Sequence, residues 1–161
     1  MDNLAYEYRL EETIVEHLVA YGSELGGLGA EDIRQADQVT TDNEDVIDTV
    51  VACPSSIPSL TTNETFNDGT GFFECDLFIS VRTNLTDDPD GTVLRDKVEA
   101  IRNLMYRQET GKEINERVAL GANDQYIYFI GVKATQKSPA GERMRHVTDQ
   151  YKVVLLSATN P

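Results

Sequence analysis

Tryptophan is absent, and histidine and cysteine occur only twice each. Two cysteines, Cys53 and Cys75, rule out a disulfide framework. Each sits in a strand-like run, where a free thiol behaves as a small buried hydrophobe. A bridge between them would need neighbouring strands; a reduced, cytosolic chain is the expectation. His17 and His146 stand apart, and no HExxH, CxxC, GxSxG or Walker sequence occurs. A metal site would have to be built from carboxylates, and no paired spacing suggests one. The titratable pairs of an active site are not visible, so the chain is expected to be no enzyme and to need no cofactor. No apolar run approaches the length of a membrane span. The opening MDNLAYEYRLEE is acidic and lacks the apolar core of a signal peptide. Without a secretion signal, the glycosylation sequons Asn63-Glu64-Thr65 and Asn84-Leu85-Thr86 read as chance matches.

Basic residues are also scarce, 14 against 28 acidic ones, for a net charge of −14. With no basic cluster, such a chain is soluble and repels nucleic acid and anionic membranes. At 161 residues it reads as one domain, long enough to bury about 70% of its unfolded surface without metals or disulfides.

What is present is alternation. In Phe72 to Asn84, Phe73, Cys75, Leu77, Ile79 and Val81 share one face, while Glu74, Asp76, Ser80 and Arg82 share the other with one large apolar residue, Phe78. This is the period of a strand with one covered and one wetter face.

In chain order, Met1 to Gly22 reads as a helix with a stripe of Leu10, Ile14, Leu18, Tyr21 and Leu25. Val15 and His17 lie beside the stripe, His17 as a packing residue, and Glu11, Glu12 and Glu16 lie off or beside it. Gly22, Gly26, Gly27 and Gly29 follow a helix and lack a Lys-Ser/Thr ending, so they read as helix termination and a flexible link, not a phosphate loop. Ala30 to Glu44 is polar, with a short helical turn near Glu31 to Ala36. Val46 to Cys53 is β-branched and closed by Pro54, a strand. Ser55 to Gly71 is a long loop, unless Asn67-Asp68-Gly69 turns a hairpin.

Asp87, Asp88 and Asp90 invite a calcium reading, but Lys97 stands where the coordinating glutamate should be. An aspartate N-cap is the better reading. Thr92 to Arg107 is the strongest helix, with Val93, Leu94, Val98, Ile101, Leu104 and Met105 inward and Arg95, Asp96, Glu99, Arg102 and Asn103 outward. Thr110-Gly111-Lys112 breaks it, and Glu113 to Leu120 makes a further short helical turn. Gln125 to Gln136 is apolar on both faces and reads as a central strand, its Tyr126, Tyr128 and Phe129 serving the core before any base stacking. A turn at Lys137 to Glu142 leads to a last strand, Arg145 to Ala158, which also ends the domain. The far end of this hairpin, rich in Lys and Arg, stands out from the body. The expectation is α+β: a mostly antiparallel sheet of four to five strands with two main helices on one face. One domain results, with residues 1–45 as helix and link and 46–161 as sheet and second helix.

The run from Asp48 to Ala158 resembles the small tail terminator (tail completion, head–tail joining) proteins of tailed bacteriophages. The resemblance rests on Val50-Val51-Ala52-Cys53 entering a Pro/Ser loop and Gly71-Phe72-Phe73-Glu74 leading to Ile79-Ser80-Val81-Arg82-Thr83-Asn84. It continues through the helix Leu94 to Met105, Ile127 to Val132 and the closing hairpin to Leu155-Leu156-Ser157-Ala158. It is a pattern of elements over about two thirds of the chain. It implies a non-catalytic ring, usually a hexamer, that caps the tail tube, meets the head or neck connector, and resides in the virion after assembly in the host cytoplasm. DNA would pass through an acidic lumen without specific binding, and no membrane is involved. The contact arms would be the long loop (Thr61, Asn63, Phe66, Asp68), the turn at Asp87 and Asp88, and the hairpin (Lys137, Pro139, Glu142, Arg143, Arg145). The runner-up readings are another neck or head-completion protein and, from the charge alone, an acidic DNA mimic that inhibits a DNA-binding enzyme.

Overall fold

The alternating stretch becomes the axis of a five-stranded sheet. A computed structural model describes residues 6–35, 48–52, 70–117, 128–138 and 144–158. Its elements are α1 (Tyr6–Ala20), a 3-10 turn (Gly22–Leu25), β1 (Ile33–Gln35), β2 (Asp48–Ala52), β3 (Thr70–Asn84), α2 (Thr92–Met105), α3 (Gln108–Arg117), β4 (Tyr128–Lys137) and β5 (Met144–Ala158). The strand order is β1-β2-β3-β5-β4. β1 runs parallel to β2, and the other pairings are antiparallel. β3 and β5 pair from Thr70↔Ala158 to Asn84↔Met144. The class is α+β.

One core joins the helices to one sheet face. Leu10, Ile14 and Leu18 of α1, Ile101, Leu104 and Met105 of α2 and Ile114 of α3 are buried in one cluster with Leu77, Ile79 and Val81 of β3 and Val147, Tyr151 and Val153 of β5. Both strands contribute alternate residues, as the period of two requires. The other face carries Asp76, Phe78, Ser80 and Arg82 beside Lys152, Gln150, Thr148 and His146, all half-buried. There the hydroxyls of Ser80 and Thr148 are hydrogen-bonded at 2.7 Å.

Several expectations change. The glycine segment is an ordered turn, since the amides of Gly27 and Leu28 both donate to the Gly22 carbonyl at 3.0 and 3.1 Å. A Cβ on Gly22 would run into the Leu28 carbonyl oxygen, so only glycine fits there. Leu25, Leu28 and Ile33 enter the core, and residues 33–35 form a strand in place of the helical turn. Pairing with β2 satisfies backbone groups that a single helical turn would leave open. Glu11, expected off or beside the stripe, is buried, whereas Glu12 and Glu16 are exposed.

Thr110-Gly111-Lys112 lies inside α3, and the break falls earlier, at Tyr106 and Arg107. A glycine costs about 1 kcal/mol in a helix interior, and packing of α3 on α1 through buried Thr110, Gly111 and Ile114 outweighs it. β4 is an edge strand, not a central one. β5 occupies the place beside β3 along its whole length, which leaves its hairpin partner outside. The start of β5 lies against β3 as far as Asn84↔Met144, so this part of the hairpin does not project. Cys53, the Asn67-Asp68-Gly69 alternative and the turn tip at 139–143 lie outside the described residues.

Candidate interaction surface

The turn between β3 and α2 is built on Asp88. Its carboxylate accepts hydrogen bonds from the amides of Val93 and Leu94, both at 3.0 Å, and from the Thr83 hydroxyl at 2.8 Å. The Thr92 amide donates to Asp90 at 3.1 Å, so three amides of the first helical turn have carboxylate acceptors. Burial by itself pushes the Asp88 carboxyl up, but the Val93 and Leu94 amides, the Thr83 hydroxyl and nearby Arg145 hold it below the usual carboxylate range. Gly91 begins the helix at φ +78°, a left-handed conformation that favours glycine.

This geometry corrects two of the contact arms. Asp88 is 1% exposed and fully engaged inside the subunit, so it presents nothing to a partner. Arg145 is half-buried and engaged within the subunit; its guanidinium donates to the carbonyls of Asp88 and, at 2.8 Å, Pro89. Asp87 is exposed, although its carboxylate accepts a hydrogen bond from Asn84 Nδ2 at 2.8 Å. Lys137 is exposed at the end of β4. Thr61, Asn63, Phe66, Asp68, Pro139, Glu142 and Arg143 lie outside the described residues.

Lys137 instead borders a groove of about 630 Å³ between α2 and the β4–β5 pair. Leu94, Val98 and Val147 floor it, and Arg95, Glu99, Arg102 and Tyr106 line it. Beneath it, Arg102 makes a two-pronged ion pair to Asp149, with Nε and Nη2 each 2.7 Å from a carboxylate oxygen. The Thr135 hydroxyl donates to the same carboxylate at 2.9 Å. The hydrogen bonding of Arg102 to Asp149, with the charge of that carboxylate, holds the guanidinium pKa above its ordinary value. Tyr151 lies buried nearby, its phenol pushed up by burial and by Asp149, and its hydroxyl has no hydrogen-bond partner among the described residues.

Sequence reasoning placed Arg95 and Arg102 on a solvated helix face and missed this groove. One signal was available. Val147, Asp149, Tyr151 and Val153 alternate on one side of β5, and a carboxylate in that series requires a cation above it.

A second cleft, about 490 Å³, lies between α1 and α3. Glu16, Glu109, Glu113 and Glu116 line it with Lys112 and Arg117. At its base His17 Nε2 is 2.8 Å from the Thr110 hydroxyl. That hydroxyl donates its one proton to the Leu104 carbonyl at 2.6 Å, so Nε2 must be the donor to Thr110. Burial pushes the imidazole below its ordinary value, against the pull of Glu113 and Glu109. The sequence expectation of a packing histidine holds, and Nε2–H is the tautomer the contacts require.

Among the described residues no group of three or more His, Cys, Asp or Glu side chains could hold a metal ion, and no helix is long and apolar enough to cross a membrane. No protein-family model matches the chain, and no curated protein matches it either.

Proposed function

We propose that the chain is a structural assembly protein of a tailed bacteriophage, one subunit of a ring that ends the tail tube and joins it to the head or neck. The observation that carries this reading is the element order from β2 onward: strand, long connection, alternating strand, amphipathic helix, a further short helix, then two strands paired antiparallel, folded as a helix-backed sheet. The sheet has unequal edges, three-residue β1 and ten-residue β4. Unlike edges favour head-to-tail contacts, which close into a ring where the rotation between neighbours allows it. The net charge of −14 suits a lumen through which DNA slides without binding. The role requires no catalytic step.

The test is native mass over a range of concentrations, followed by imaging. A closed particle of six 17.9 kDa subunits, about 107 kDa, is the expected result. The second reading, favoured by the charge alone, is an acidic inhibitor that imitates DNA. It predicts a monomer or dimer that co-purifies with a DNA-binding enzyme, and that outcome would replace the ring.

A further inference from the structure

The groove between α2 and the β4–β5 pair differs in charge from the rest of the chain. The whole sequence carries two acids for each base, whereas the groove is lined by Arg95, Arg102 and Lys137 and by one acid, Glu99. Its floor, Leu94, Val98 and Val147, is 7, 7 and 9% exposed, the most open part of the buried core. Tyr106, 58% exposed, stands beside it. An apolar floor bordered by tyrosine and arginine is the composition of an interface centre. Arg102 is committed to Asp149. Among the described residues Arg95 reaches only Asp96 at 3.5 Å, in an exposed pair of little strength, so exposed Arg95 and Lys137 are the charges set to face an incoming surface.

The complementary surface is on the same molecule. The α1–α3 cleft presents Glu16, Glu109, Glu113 and Glu116 against Lys112 and Arg117. Glu16 and Glu113 both reach Arg117, and among the described residues of the cleft exposed Glu109 and Glu116 are the outward charges. The two surfaces share no lining residue, the groove being built on α2, β4 and β5 and the cleft on α1 and α3, so both are open to a second molecule. We infer that the groove over α2 receives the acidic α1–α3 surface of a second copy of this chain. The contact is heterologous: one patch meets a different patch on an identical molecule, which propagates in one direction. It deepens the ring reading, on which it rests, by naming the two surfaces that meet.

Charge reversal with rescue tests it. The groove variant Arg95→Glu with Lys137→Glu and the cleft variant Glu109→Lys with Glu116→Lys alter exposed side chains only. Circular dichroism and thermal midpoints matching the parent chain check that both fold. By mass photometry, each variant alone should associate at least tenfold more weakly than the parent chain. Their equimolar mixture should restore particles, because each groove then faces a complementary cleft. Tyr106→Ala should weaken association without rescue by either charge variant. Loss without rescue in the mixture, or variants that assemble like the parent, would overturn the contact; in the latter case the ring would survive with another interface. A parent chain that stays monomeric at every concentration would overturn it as well. Open chains or dimers that obey the rescue would keep the contact and remove the ring.

Discussion

Asp88 and His17 show how single side chains hold this fold at its joints. Asp88 satisfies two helix amides and one hydroxyl from a buried position. Asp88→Ala should cost about 2–3 kcal/mol in chemical denaturation, the sum expected for a lost cap and buried donors left open. A loss below about 1 kcal/mol would mean that water replaces the carboxylate there. Because its folded pKa is lowered, the stabilisation is complete above about pH 4 and is lost as pH falls through the lower folded value. The variant should lack that part of the acid limb.

His17 has the same sign for a different reason. Burial lowers its pKa, so protonation opposes the fold, and stability falls as pH drops below about 6.5 towards the folded value. His17→Gln keeps a donor for Thr110 but cannot titrate. The wild-type thermal midpoint should fall between pH 7 and pH 5 by more than that of the variant. Parallel curves would assign the acid sensitivity to other groups.

At the scale of elements, β3 is the member whose loss the sheet cannot absorb. Ile79 is paired with Val51 on one side and Asp149 on the other, and its side chain is in the core. Ile79→Pro removes a ladder donor in a central strand and should abolish folding, seen as loss of soluble protein or of a cooperative transition. A folded variant would place β3 elsewhere. The alternation of Leu77, Ile79 and Val81 and the stripe of Leu94, Val98, Ile101 and Leu104 were legible because each period buries one face. The position of β4 was not, since a strand apolar on both faces looks alike at the centre and beneath a helix. β1 was hidden for another reason: Ile33-Arg34-Gln35 carries no alternation longer than itself, and only β2 beside it makes it a strand.

On the scale of the whole molecule, the hairpin and the charge decide what can be tested. Ser138 and His146 close the described end of the hairpin, the Ser138 amide donating to the His146 carbonyl at 2.9 Å and the His146 amide to Ser138 Oγ at 3.0 Å. Arg145 holds the β3–α2 turn. A shortening that tests the arm must therefore spare both ends: residues 139–143 replaced by Gly-Gly should leave the thermal midpoint within a few degrees and reduce assembly on tail tubes. Normal assembly would remove the hairpin tip from the contact.

Composition and period alone determined the α+β class, the two principal amphipathic helices and the central alternating strand, because each depends on residues close in sequence; the N-cap of α2 expected to be an aspartate is Gly91, with Asp88 accepting from the helix amides from three residues before it. The tertiary structure decided the rest. It tied Arg145 to the β3–α2 turn, buried Asp88, set Arg102 over Asp149 and gathered Arg95, Tyr106, Lys137 and Val147 around one groove. The groove residues come from α2 and its C-terminal end, β4 and β5, elements distant in sequence, and only the strand order β3-β5-β4 beneath α2 brings them together.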